Sequence, residues 1–299
     1  MRSRTRPARL SPCAGHAVSR RGIVRAAALA PLASTSRAWG AATSTGREGF
    51  ATVPGGRLWY WDTGGSGDAL IFIHPATGSD RSWSNQRGFF ADRGYRVIAY
   101  ARWGYGKSDP APADDRKEHQ DLLALIDVLG IGKAHLVGVA AGAGVVAPFV
   151  ANVPERVRTA ALIGSVTGIA DPQVQAIGRR LRPANFHDLP AAFRELSPSY
   201  RAANPAGVRA WIAIEHGRPP AGRDRREQTT LATLAASGVP LLFATGDADL
   251  FAPPYLMRLA ANAVPNARYQ TIVEAGHAAF WEQPDAFNQL VLGHLGRSQ

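Results

Sequence analysis

The stretch LVGVAAGAG, Leu136 to Gly144, runs from an apolar segment straight into a string of glycines and alanines. The run Ala134 to Gly138 reads as a short buried strand. The small residues after it suit a sharp strand-to-helix turn, where larger side chains would clash. That reading sets the frame for the rest of the chain, because equivalent apolar runs lie on both sides of it. Expected strands cover Gly49 to Val53, Arg57 to Asp62, Ala69 to Ile73, Arg96 to Tyr100, Ala134 to Gly138, Thr159 to Ile163, Pro240 to Ala244 and Ala267 to Val273. The first two flank Pro54 to Gly56, a hairpin turn.

Helical periodicity fills the gaps between the later strands. Leu122, Leu125, Ile126 and Leu129 recur at helical spacing and predict one buried face, and Gly130 stands where a C-terminal cap belongs. Another helix opens on Pro253 and Pro254, in the first turn where proline is tolerated. The alternation predicts an α/β fold with a mostly parallel eight-stranded sheet and flanking helices. A segment at about 170–228 lacks strand patterning and is expected to form a small helical lid over the carboxyl edge of the sheet. It holds ten arginines against six acidic residues, a balance compatible with anionic ligands or with a solvated basic surface.

The net charge of +11 in 299 residues is unevenly spread. Residues 1–40 contain eight arginines and no acidic residue, so they carry +8 and leave +3 for the remainder. The basic character belongs mainly to that segment, and no nucleic-acid partner is expected. Arg20 and Arg21, a modest apolar stretch from Gly22 to Ala33 and small residues at 38–42 resemble a twin-arginine export signal. The expectation is a signal peptide over 1–40, a domain over 41–299, and a periplasmic or secreted protein. The apolar stretch is far shorter than the ~20 residues that span a bilayer, so no stable membrane insertion of the mature chain is expected. The only cysteine, Cys13, would leave with the leader, removing thiolate and disulfide chemistry.

In open parallel sheets, ligands sit beyond the carboxyl ends of the strands. The segments there are HPATGSD (His74 to Asp80), ARWGYGKSD (Ala101 to Asp109), GVAAGAG (Gly138 to Gly144), GDAD (Gly246 to Asp249) and AGH (Ala275 to His277). Their order and spacing resemble the α/β-hydrolase superfamily, from about Gly49 to Leu295. The resemblance implies an α/β-hydrolase fold, with His277 as catalytic base and Asp249 as the acid that orients it. Asp247 would have the structural role of fixing the turn. It also implies an oxyanion hole from the backbone N–H groups of Ala76 and Ala141, with His74 structural.

The chain departs from the family pattern at three places. Pro75 replaces a glycine, Ala101 replaces an aspartate, and Ala140 occupies the position of the serine nucleophile. Ser165, Thr77, Ser79 and Ser108 are the nearby hydroxyls, each better explained as a turn or cap residue. None of His119, His135, His187, His216 and His294 has a histidine partner at i+2 or i+4, so neither a metal nor another cofactor is expected. Phe186, Phe193, Tyr200 and Trp211 of the lid, with Trp103 below, are candidates for the pocket lining or for core. Three readings stay open. One is an enzyme on a small-molecule substrate using a His–Asp general base. The others are a non-catalytic binding protein and a serine esterase or lactonase in which alanine replaces the serine.

Overall fold

A computed structural model describes residues 46–182, 184–216, 219 and 225–296. The expected leader over 1–40, with Arg20, Arg21 and Cys13, lies outside the described residues. The elements run β1 (Arg47–Val53), β2 (Gly56–Asp62), β3 (Ala69–Ile73), α1 (Ser84–Ala91), β4 (Arg96–Tyr100), α2 (Glu118–Val128), β5 (Ala134–Val139) and α3 (Ala143–Asn152). They continue with β6 (Val157–Ile163), α4 (Pro172–Leu181), α5 (Ala191–Glu195), α6 (Pro198–Ala203), α7 (Pro205–His216) and α8 (Leu231–Ala236). The chain finishes with β7 (Leu241–Gly246), α9 (Pro254–Asn262), β8 (Ala267–Ile272), α10 (Ala279–Glu282) and α11 (Pro284–Leu295).

The strands form one eight-stranded sheet in the order β1-β2-β4-β3-β5-β6-β7-β8. Only the pairings of β2, with β1 and with β4, are antiparallel. The expected fold class is the observed one. Strand ends differ from expectation by one or two residues, and two shifts matter. β5 continues to Val139, so Ala140 is the first residue of the turn, and β7 continues to Gly246, which pairs with Ile272. In both cases backbone pairing with the neighbouring strand carries the strand past the apolar run that marks it in the sequence.

Strand β3 shows how the core is divided. Ala69, Ile71 and Ile73 point into one buried cluster with residues of α2, α3 and α9, while Leu70 and Phe72 join a second cluster with Trp83, Phe90 and Phe280. Period-two alternation sends successive side chains to opposite faces, so a strand covered on both sides reads as continuously apolar. Helix α2 buries Leu122, Leu125 and Ile126 as its periodicity predicts. It ends with Gly130 at φ +65, the Gly130 N–H donating to the Asp127 carbonyl at 3.1 Å and the Ile131 N–H to the Ile126 carbonyl at 3.0 Å. These two bonds satisfy carbonyls that a helix end otherwise leaves free.

Between β6 and β7 the chain leaves the sheet as α4 to α7, within the expected lid segment. The two ends of this excursion are held together: Ala170 N–H donates to the Thr229 carbonyl and Thr229 N–H to the Gly168 carbonyl, each at 2.7 Å. The aromatic candidates divide. Trp211 is buried and lines the central cavity, Phe186 is buried nearby, Phe193 is exposed, and Trp103 packs in the cluster on the α2 and α3 side. Aromatic bulk alone does not say which side of a helix meets a pocket. No helix among the described residues is long and apolar enough to cross a membrane.

Gly130→Ala is expected to lower the unfolding free energy by about 1 kcal/mol, the left-handed penalty of alanine less its gain in unfolded-state entropy. Urea denaturation at 25 °C measures it, and a gain in stability would contradict the left-handed cap.

Candidate functional site

The turn after β5 is the most constrained backbone in the site. Ala140 sits at φ +51, one of two described non-glycine residues with positive φ, the other being Glu274. A left-handed alanine costs roughly 1–2 kcal/mol, so the surroundings must impose it. They do so through close approach. A Cβ on Gly138 would lie 2.5 Å from the Gly142 carbonyl oxygen, and one on Gly142 would lie 2.1 Å from the Ile73 carbonyl oxygen. Both distances are below any real contact, so both glycines are required for β5 to turn into α3 against the end of β3. That packing brings Ala140 and Ala141 beside Pro75, Ala76 and Thr77, and all five line one cavity of about 380 Å³.

Across this cavity stands His277. Its Nδ1 is 2.9 Å from Asp249 Oδ2, and Asp249 is almost fully buried. The carboxylate is held by three further donors: Thr245 Oγ1 at 2.8 Å to Oδ2, and the N–H groups of Phe251 at 2.7 Å and Ala252 at 3.0 Å to Oδ1. Asp247 takes the other place in the turn, accepting from the N–H groups of Glu274 and Ala275 at 3.0 and 3.2 Å. Phe251 stacks on the imidazole with centroids 4.3 Å apart. Gly164, at φ +64, completes the enclosure, since a Cβ there would meet Asp249 Oδ2 at 3.1 Å and His277 Nδ1 at 3.3 Å.

Burial raises the Asp249 pKa, but the neighbouring imidazolium, its hydrogen bond and the donors from Ala252 and Thr245 outweigh it and leave the carboxyl below its ordinary value. Burial likewise lowers His277, and the Asp249 carboxylate and its hydrogen bond reverse that, leaving the imidazole raised. The stabilisation carried by His277 is complete below its unfolded pKa and is lost as pH rises through the raised folded value. That carried by Asp249 is present above its unfolded pKa and is lost as pH falls through the depressed folded value.

His74 is wholly buried beneath the 74–77 turn. Its Nε2 accepts the Arg102 N–H at 3.0 Å, which places the proton on Nδ1, 2.7 Å from the Pro75 carbonyl. Burial, reinforced by Arg102, holds its pKa well below the ordinary value, so it acts as a neutral strut. Of the nearby hydroxyls, Ser79 caps a short turn, Ser108 donates to the Ala101 carbonyl at 2.6 Å, and Ser165 lines the cavity while accepting the Thr167 N–H at 2.9 Å. Thr77 donates to Glu195 Oε1 at 2.9 Å.

Glu195 is the cavity residue that sequence reasoning missed. It is buried, its second oxygen accepts the Trp211 indole N–H at 2.9 Å, and its carbonyl accepts the Ala278 N–H at 3.0 Å, tying α5 to the loop that carries His277. Nothing in the lid sequence distinguishes it from a solvated acid. Arg182, His187, Arg194 and Arg226 also line the cavity. Among the described residues there is no group of three or more potential metal-ligating side chains.

Comparison with known proteins shows that residues 70–290 match the model of the alpha/beta hydrolase family. The chain is 31% identical over 251 residues to a putative non-heme bromoperoxidase, BpoC, of Mycobacterium tuberculosis, covering 78% of this chain and 95% of that protein. A 2-hydroxy-6-oxononadienedioate/2-hydroxy-6-oxononatrienedioate hydrolase of Burkholderia vietnamiensis is 29% identical, with coverage of 81% and 91%. In fold alone, the chain resembles a thermophilic esterase from Thermogutta terrifontis, at TM-score 0.71 and 24% identity, with 84% of this chain and 99% of that chain covered.

Two outcomes check this geometry. Asp249→Asn removes the charge that raises His277, so the imidazole's NMR titration midpoint is expected to fall, whereas an unmoved midpoint would deny the pairing. Ala140→Gly relieves the left-handed alanine and is expected to raise stability by up to about 1 kcal/mol in urea denaturation. A loss of more than that would mean the turn is not strained there.

Proposed function

We propose that this chain, which belongs to the alpha/beta hydrolase family, is an enzyme on a small organic molecule that works by general-base chemistry without a serine nucleophile. The observation that carries the reading is that His277, bonded to the buried Asp249 at 2.9 Å, lines the same cavity as Ala140.

The role of each group follows from what it can do. Asp249 occupies Nδ1 of His277, which leaves Nε2 as the nitrogen available to take a proton from substrate or from water. The raised imidazole pKa makes it a stronger base once deprotonated. The N–H groups of Ala76 and Ala141 supply the donors for negative charge developing on an enolate or tetrahedral oxygen. Both are backbone groups, so neither depends on the side chain at position 140. Acyl-enzyme chemistry is a different matter. Loss of the nucleophile in a comparable triad costs about 10⁶ in turnover, roughly 8 kcal/mol of transition-state stabilisation. Only ~10³–10⁴-fold catalysis over water survives from donors and binding. The serine route is therefore disfavoured, while proton abstraction by His277 loses little.

The test compares the full chain with Ala140→Ser and His277→Ala on a panel of activated esters, lactones and carbon acids. His277→Ala is expected to abolish the turnover of the natural chain, which should rise with pH as the imidazole loses its proton. Ala140→Ser is expected to gain burst-phase acyl-enzyme formation on esters. Absence of any turnover by the natural chain, together with ligand affinity indifferent to His277→Ala, would replace this reading with that of a binding protein.

A further inference from the structure

Arg182 and Arg194 stand out among the cavity's side chains because neither forms an ion pair with any described carboxylate. Arg182 follows the last residue of α4 and Arg194 lies in α5, yet both guanidinium groups approach the same two rings. Arg182 lies 5.8 Å from the Phe186 centroid and 5.9 Å from that of Phe251, and Arg194 lies 5.9 and 5.8 Å from them. Phe251 is the ring stacked on His277. The two cations are thus one aromatic ring away from the imidazole. Among the described residues, Arg182 donates only to the Phe251 carbonyl, at 3.3 Å, and the buried Nε of Arg194 has no hydrogen-bond partner.

Arg182 is exposed and Arg194 half-buried, so water screens part of the repulsion between these like charges, but the buried Arg194 Nε–H without an acceptor costs free energy. The adjacent Glu195 offsets part of that repulsion, but among the described residues it forms no ion pair with either guanidinium, and its oxygens accept from Thr77 and Trp211. The rings they flank offer a cation only a weak attraction, smaller than a charge-assisted hydrogen bond. An oxyanion entering from solvent would meet the unpartnered Arg194 donor and lie beside the Arg182 guanidinium, and two oxygens facing planar forks is the geometry in which arginine outperforms lysine.

We propose that Arg182 and Arg194 form an anion-binding subsite, and that the substrate carries an oxyanion such as a carboxylate a short distance from the atom at which His277 acts. The assignment rests on the reading of this cavity as the substrate site, but it concerns affinity and not turnover.

Binding is measured by titration calorimetry on the full chain with its natural Ala140, using monomethyl succinate as the anionic probe, methyl butyrate as its neutral counterpart and propyl phosphate as the alternative oxyanion. The anionic ester is expected to bind at least about tenfold more tightly than the neutral one, the scale of one charge-assisted hydrogen bond. Arg182→Gln with Arg194→Gln is expected to erase that preference and leave methyl butyrate within about twofold. The paired lysine variants are expected to recover it in part, since they keep charge but lose the fork. Preferential binding of propyl phosphate would retain the subsite and assign it to phosphate. Equal affinity for charged and neutral esters, no detectable binding of any probe, or a preference that survives both glutamines would overturn the proposal. His277→Ala is expected to keep the preference, so failure of the catalytic reading and failure of the subsite give different results.

Discussion

The close approach of the β5–α3 turn to the carboxyl end of β3 is the constraint on which the site depends. Gly142 packs where any Cβ would strike the Ile73 carbonyl, Gly138 where any Cβ would strike the Gly142 carbonyl, and Ala140 is driven into the left-handed region between them. This is a backbone arrangement, enforced by parallel strand pairing on both sides of β5. It brings Ala76 and Ala141 to one cavity whatever side chain stands at position 140. The strain at Ala140 is a cost that packing elsewhere offsets. It is unexpected in a turn that holds no functional hydroxyl, unless the backbone itself is used.

The second organising interaction is the His277–Asp249 pair. Its members come from the loops after β8 and β7, and the absence of a side chain at Gly164, after β6, leaves room for them to meet. Four donors converge on a nearly inaccessible carboxylate, which keeps it ionised against the penalty of burial. Phe251 links this pair to the lid, stacking on the imidazole on one side and meeting Phe186 edge-on, with Arg182 and Arg194 around them. Imidazole, aromatic plate and basic rim therefore form one continuous layer from the sheet edge to the lid.

The order of the sheet elements, the buried face of α2, its glycine cap and the positions of His277, Asp249 and Ala140 at strand ends were all legible in the linear chain. Each depends on local periodicity or on the rule that parallel strands present their following loops on one edge. Strand ends slipped where ladder pairing extended past the apolar run, as at Val139 and Gly246. The lid was legible only as a helical, arginine-rich excursion. Its useful residues, Glu195, Trp211, Arg182 and Arg194, look in sequence like ordinary surface and core positions.

What the sequence determined by itself is the architecture and the absence of a hydroxyl at the turn, because strand and helix periods and the identity of residue 140 are local properties. The tertiary structure supplied the distances for the Asp249–imidazole bond and for the Asp247 turn that the family resemblance implied. It alone decided that Glu195 is sheltered between Thr77 and Trp211, and that Arg182 and Arg194, from successive lid helices, share the same pair of rings. Those outcomes depend on which long-range surfaces pack together, and a buried charge acquires its partners, or lacks them, only through that packing.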